Sequence, residues 1–203
     1  MQPKSIVFRK GELFWDEASI LVEGVLLGLR HFGGILTDPI RFGGNYCKRL
    51  TLANSSRWRE HVRVRTAMEE CRFEETTIPG PQHDLLFVKC LEQVILGQAY
   101  QTVLPHIEKR FGKECKNWPP LLDFCRHIRN GVCHGNRFDI RSPPWPDRTW
   151  RGLTLTKALH GKPVVDQQDG GFGVADVIAL LFDLRKELER LGINPVQTPD
   201  CRT

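Results

Sequence analysis

Between Phe124 and His134 the chain gathers Arg126, His127, Arg129, Asn130, Cys133 and His134. These types carry chemistry. An imidazole titrates near neutral pH and can move a proton in either direction. A guanidinium grips a phosphate or carboxylate through two parallel N–H donors. A thiol and an imidazole can together form a nucleophile or bind a metal.

These residues must be positioned by a helix. Trp118-Pro119-Pro120 marks its start, because proline suits a first helical turn. Leu121, Cys125, Ile128 and Val132 follow at the i, i+4, i+7, i+11 spacing of a core-facing stripe, and Gly135-Asn136 stops it. Asp123, Arg126, Arg129, Asn130, Cys133 and His134 fall off that stripe, as the polar side of any amphipathic helix does. Gly131 and Gly135 let another backbone or a ligand come close. On an ideal helix Arg129 and His134 lie about 140° apart around the axis and about 7.5 Å along it. A shared site therefore needs a distorted last turn, or a second copy of the helix across a two-fold axis.

Other uses of the same residues are weaker. A zinc set of Cys125, His127, Cys133 and His134 lacks any paired CxxC or HxxxH spacing, and Cys125 belongs to the apolar stripe. Cys133 diverges from its neighbour His134 on a helix, so a thiol nucleophile would need a histidine from elsewhere; a buried packing role is expected of it.

Arg129-Asn130 followed by His134, an Arg-x4-His spacing with a polar residue directly after the arginine, resembles the signature of the HEPN superfamily. Those are small helical-bundle domains, many of them metal-independent ribonucleases of prokaryotic defence and toxin–antitoxin systems. The resemblance covers about residues 84–191 and the helix at 15–30. It implies that His134 serves as general base or acid on the ribose 2′-hydroxyl or the leaving 5′-oxygen. Arg129 would bind the scissile phosphate, and Asn130 would orient the phosphate or the histidine. It implies an endoribonuclease that needs no metal or cofactor and acts as a homodimer through the motif helix, with an antitoxin or defence-complex partner. Members without activity serve as binding modules, so the alternative is a non-catalytic helical domain that binds RNA, a nucleotide or a partner protein.

The remaining elements set the expected frame: one mainly all-α domain over 1–203, of about five helices with a small β-hairpin before the last. Its motif-bearing core spans about 84–192, and N-terminal helices in 1–80 pack on it. Trp15–Arg30 is apolar around most of its circumference and reads as a buried helix. Ser55–Phe73 reads as a helix capped by Ser55 or Ser56, although Val62-Arg63-Val64-Arg65 also suits a strand of period two. Asp84 can cap a long helix that Pro105 kinks or divides before Gly112. The hairpin is expected from Gly152–Thr156 and Lys162–Val165, with His160-Gly161 in its turn. Val174–Leu191 carries the clearest stripe: Val177, Leu181, Leu184, Leu188 and Leu191.

With 203 residues, 40% hydrophobic and 26% charged, the chain can fill a sizeable core. A net charge of +5 and a pI of about 8.9 suit an anionic partner without requiring one. Arg57, Arg59, Arg63 and Arg65 around Trp58, together with Arg126, are candidate RNA contacts, and Trp145 and Trp150 could stack on bases. Seven scattered cysteines without a CxxC pair point to reduced thiols. No stretch is apolar for long enough to span a bilayer, and a cytoplasmic setting is expected.

Overall fold

The structure, a computed structural model, describes residues 5–32, 38–42, 45–53, 61–67, 70–75, 86–141, 147–166 and 171–195. Helix dominates among these: α1 (Trp15–Phe32), α2 (Leu86–Phe111), α3 (Pro120–Cys133) and α4 (Val174–Arg190). The helix expected over 55–73 does not form. Its described part contains the strands β4 (His61–Ala67) and β5 (Glu70–Glu75), so there are four α-helices among the described residues rather than five.

Those strands join β1 (Ser5–Arg9), β2 (Asp38–Phe42) and β3 (Asn45–Ala53) in an antiparallel sheet of order β1-β5-β4-β3-β2. The N-terminal part is therefore a sheet with one helix, not helices alone. The reason lies in period two: Val62-Arg63-Val64-Arg65 sets β-branched residues on one face and arginines on the other. That pattern outweighs the helix preference of Ala67-Met68-Glu69-Glu70. Ile6 and Phe8 of β1 are fully buried, so the β1 face that carries them meets the core. The register places Phe73 and Cys71 opposite them, then Val64 and Thr66, then Leu50 and Lys48. Helices α1 and α4 lie against this sheet.

The core joins Ile6 and Phe8 to Leu21 of α1, Val103 and Ile107 of α2, Leu122 and Ile128 of α3, and Ile178 of α4. Acidic residues Asp16 and Glu17 suit the positive first turn of α1. The Asp176 carboxylate caps α4 by accepting the Gly173 N–H at 3.1 Å. Arg185 of α4 reaches back to β1, donating to the Glu12 carboxylate at 2.7 Å and to the Val7 carbonyl at 3.0 Å. Glu92 of α2 is 3% exposed; burial first, then the charges of Asp176 and Asp166, hold its carboxyl well above the usual range, with Lys89 opposing.

Pro105 neither ends nor divides α2, which runs unbroken to Phe111. Its ring removes one N–H, so the carbonyl of Gln101, four residues earlier, loses its helical donor. The hairpin before α4 forms closer to α3 than expected, from β6 (Thr149–Trp150) and β7 (Leu153–Thr154). Arg151 and Gly152 both take positive φ, 43° and 85°, the form of two-residue turn that matches strand twist. Residues 162–165 pair elsewhere: Pro163 bridges Arg137, and Val165 bridges Phe172. Among the described residues no helix is long and apolar enough to cross a membrane.

Candidate functional site: the groove between α2 and α3

Helices α2 and α3 pack closely where Gly97 faces Cys133; a β-carbon at Gly97 would stand 3.4 Å from the Cys133 sulfur. Beside this contact runs an open groove of about 540 Å3. Gln93, Val94, Gln98 and Gln101 form its α2 wall, and Arg129, Val132 and Cys133 its α3 wall. Val94 is 59% exposed, a large apolar side chain left in water. Cys133, expected as a buried packing residue, is instead exposed here, as is the free thiol of Cys90. Cys125, about two turns earlier on α3, sits in the core instead, with burial pushing its thiol far up.

Arg129 is half-buried in this groove. Its guanidinium donates to the Gln101 side-chain oxygen at 3.0 Å and to the Asn130 side-chain oxygen at 3.2 Å. Both partners are neutral amides, and among the described residues no carboxylate pairs with it. Its Nε is enclosed with no hydrogen-bond partner. A cation held by amides keeps its charge available to an anion entering the groove.

The end of α3 departs from helix, as a shared site requires. His134 follows the last helical residue with φ −115° and ψ 51°, its N–H donating to the Asn130 carbonyl at 3.0 Å and the Gly131 carbonyl at 3.3 Å. Gly135 and Asn136 then take left-handed φ of 83° and 58° and turn the chain back. Asn136 pins the return: its amide donates to the Val165 carbonyl at 3.0 Å, and its side-chain oxygen accepts the Val165 N–H at 2.8 Å. Gly131 is needed for the same approach, since a β-carbon there would lie 2.5 Å from Val164 Cγ2 and 3.0 Å from the Arg137 carbonyl oxygen. The His134 ring is exposed, takes no hydrogen bond among the described residues and does not line the groove. The fold thus joins Arg129 and Asn130 through their side chains and ties His134 to Asn130 through backbone.

Arg126 serves elsewhere. It donates to the Asp123 carboxylate at 2.8 Å and lies 2.8 Å from Nε2 of His127. The other Asp123 oxygen accepts from Arg148, 2% exposed, at 2.8 Å. A carboxylate 3% exposed is thereby held by two guanidiniums, the pairing that buried charge demands. Burial first, then Arg126 and Arg148, lower the His127 pKa against the opposing pull of Asp123. The neutral ring accepts from Arg126. The i, i+3 and i, i+4 spacing of Asp123, Arg126 and His127 is visible in the sequence; the Arg148 partner, 25 residues on, is not.

Of the other candidate contacts, Arg63 and Arg65 lie in β4, not on a helix. Arg57, Trp58, Arg59, Ser55, Ser56, Asp84 and Trp145 lie outside the described residues. Trp150 is a core residue, 4% exposed, stacked on Phe172 at 5.4 Å with its N–H on Asp183, so it cannot receive a base. Among the described residues no three His, Cys, Asp or Glu side chains gather as a metal site. Comparisons with protein-family models, curated proteins and solved structures give no match.

Proposed function

We infer that the groove and the adjoining end of α3 form an RNA site, and that the chain is a metal-independent endoribonuclease of the HEPN type. The observation that carries this reading is the half-buried guanidinium of Arg129, held by Gln101 and Asn130 with no acid to neutralise it among the described residues. Such a group binds a phosphate bidentately and stabilises charge developing on it. His134 stands at the non-helical turn that an Arg-x4-His pair needs to serve one substrate. As general base it takes the proton of the ribose 2′-hydroxyl while the 2′-oxygen attacks phosphorus. The bond from phosphorus to the 5′-oxygen breaks, and that oxygen receives a proton from an acid. The products are a 2′,3′-cyclic phosphate and a 5′-hydroxyl. A second protomer, docked through α3, supplies the second imidazole.

The test is cleavage of RNA in excess chelator by the parent, Arg129→Ala and His134→Ala. Loss of cleavage in both variants, with chelator harmless to the parent, is the expected result. Cleavage that ignores both substitutions, or that chelator abolishes, overturns it.

One observation favours the non-catalytic reading. No group among the described residues orients the His134 ring, whereas a general base is held in one tautomer by a partner on its other nitrogen. RNA binding that depends on Arg129, with no cleavage even at concentrations that populate a dimer, would select that reading.

A further inference from the structure

A glutamine amide carries a donor and an acceptor side by side, and a partly enclosed one gains by pairing with a group that offers the complementary pattern. Helix α2 sets three glutamines along the groove: Gln93, Gln98 and Gln101. Gln101 is committed, since its side-chain oxygen accepts from the Arg129 guanidinium at 3.0 Å. Gln93 and Gln98 are not. Neither side chain makes a hydrogen bond among the described residues, although Gln93 is half-buried. The Thr102 hydroxyl, 3.0 Å away, donates to the backbone carbonyl of Gln98 and leaves its amide open.

The rest of the lining suits the flat body of a base. Val94 and Val132 supply apolar walls, and Gly97 beside them adds no side chain. No carboxylate is among the described residues that line the groove, so the Arg129 charge is unopposed there. Along the α2 axis Gln98 stands about 4.5 Å from Gln101, and Gln93 about 12 Å. A strand anchored by a phosphate at Arg129 and running along the groove passes Gln98 first and Gln93 second.

Adenine meets a glutamine amide with two hydrogen bonds, its N6 amino group donating to the amide oxygen and its N7 accepting from the amide nitrogen. That edge is closed to side chains in the deep groove of an RNA duplex and open on an unpaired base. We propose that the groove reads unpaired adenines: Gln98 and Gln93 pair with the edges of successive bases, whose rings lie against Val94 and Val132. The assignment names the substrate of the site described above and rests on RNA lying in this groove. Arg129 supplies affinity without sequence preference, and the two amides supply the preference.

The test uses the full chain carrying His134→Ala, so that the probe stays intact. Fluorescein-labelled oligoadenylate, oligouridylate and oligocytidylate of one length are compared by anisotropy. Oligoadenylate should bind tighter than the other two by about fivefold or more, the lower bound for one bidentate amide–base pair. Gln93→Leu with Gln98→Leu keeps the size and helical preference of both residues and should bring oligoadenylate to the level of the others. Alkylation of Cys133, an exposed thiol of the groove, gives a second readout. Oligoadenylate should slow it, followed by mass spectrometry, and slow it less in the leucine variant. Equal binding of the three oligonucleotides, a preference for another base, or a preference that survives both leucines overturns the proposal. If that binding still falls with Arg129→Ala and still shields Cys133, the groove reading stands. Binding that neither needs Arg129 nor shields Cys133, or no binding, overturns both.

Discussion

Asn136 and Val165 exchange two hydrogen bonds, the Asn136 amide donating to the Val165 carbonyl at 3.0 Å while its oxygen accepts the Val165 N–H at 2.8 Å. The side chain thereby stands in for a strand at the point where α3 hands over to the loop bearing His134. Asn136 also holds φ at 58°, a region that asparagine tolerates better than most residues. Asn136→Ala should lose both bonds and strain the backbone, costing about 2–3 kcal/mol in urea unfolding. Asn136→Gly should lose the bonds but keep the conformation, and cost less. Equal destabilisation by the two would show that the backbone conformation contributes nothing.

Gly131 should tolerate no side chain unless Val164 gives way. A β-carbon 2.5 Å from Val164 Cγ2 must displace it, so Gly131→Ala should destabilise by about 1–3 kcal/mol. Val164→Ala removes the obstructing methyls, and the double variant should recover part of that loss. A double-mutant cycle that shows no coupling would mean the two positions do not meet.

Arg129→Lys should fail to replace the arginine. Lysine keeps the charge but not the planar fork, so it cannot reach Gln101 and Asn130 while also gripping a phosphate. RNA cleavage by Arg129→Ala should fall by about 100-fold or more, the scale for losing one donor to a developing oxyanion. Cleavage by Arg129→Lys should stay within about tenfold of the alanine variant, and wild-type rates in it would remove the bidentate role.

The His127 pKa is lowered in the folded protein by burial and by Arg126 and Arg148, so below its ordinary value of 6.5 the unfolded chain binds more protons. This contribution to stability is complete above pH 6.5 and is lost as pH falls through the folded value. His127→Gln should make unfolding free energy less dependent on pH below 6.5. An unchanged pH profile in that window would show that His127 is not the group responsible.

Glu92 works in the opposite sense. Its folded pKa is raised, so the folded state holds the proton more tightly, and stability falls as pH rises above the ordinary 4.5. Glu92→Gln replaces the ionisable carboxyl with a neutral group of nearly the same shape. It should stabilise the protein at pH 7 and give a smaller gain near pH 4, measured by thermal melting at both. A gain that does not grow with pH would contradict the burial of an ionising carboxyl.

The helices α3 and α4 are legible because stripes at helical spacing and stops at Gly135 and Gly192 leave few alternatives, and α1 because a long run of apolar residues does the same. Val62-Arg63-Val64-Arg65 was a different case. Its two-residue period competed with neighbours of helical preference, and only pairing with β3 and β5, unseen along the chain, decides between them. The register of the sheet is hidden for the same reason: Arg49, Arg65 and Arg72 are partners across strands, not neighbours in sequence. At the groove, Arg129, Asn130 and His134 announced themselves by type and spacing. Gln101 did not, because its role depends on how α2 lies beside α3.

Arg185 bonds to Glu12 and to the carbonyl of Val7, closing loops of 173 and 178 residues. Contacts between such distant positions slow folding, since chain entropy is lost before they form. During synthesis β1 emerges before the other described strands, yet its strand partner β5 follows some 60 residues later and its arginine anchor in α4 later still. The first of the described strands to leave the ribosome is thus among the last to be secured, and until then Ile6 and Phe8 are exposed to any chaperone that binds apolar segments.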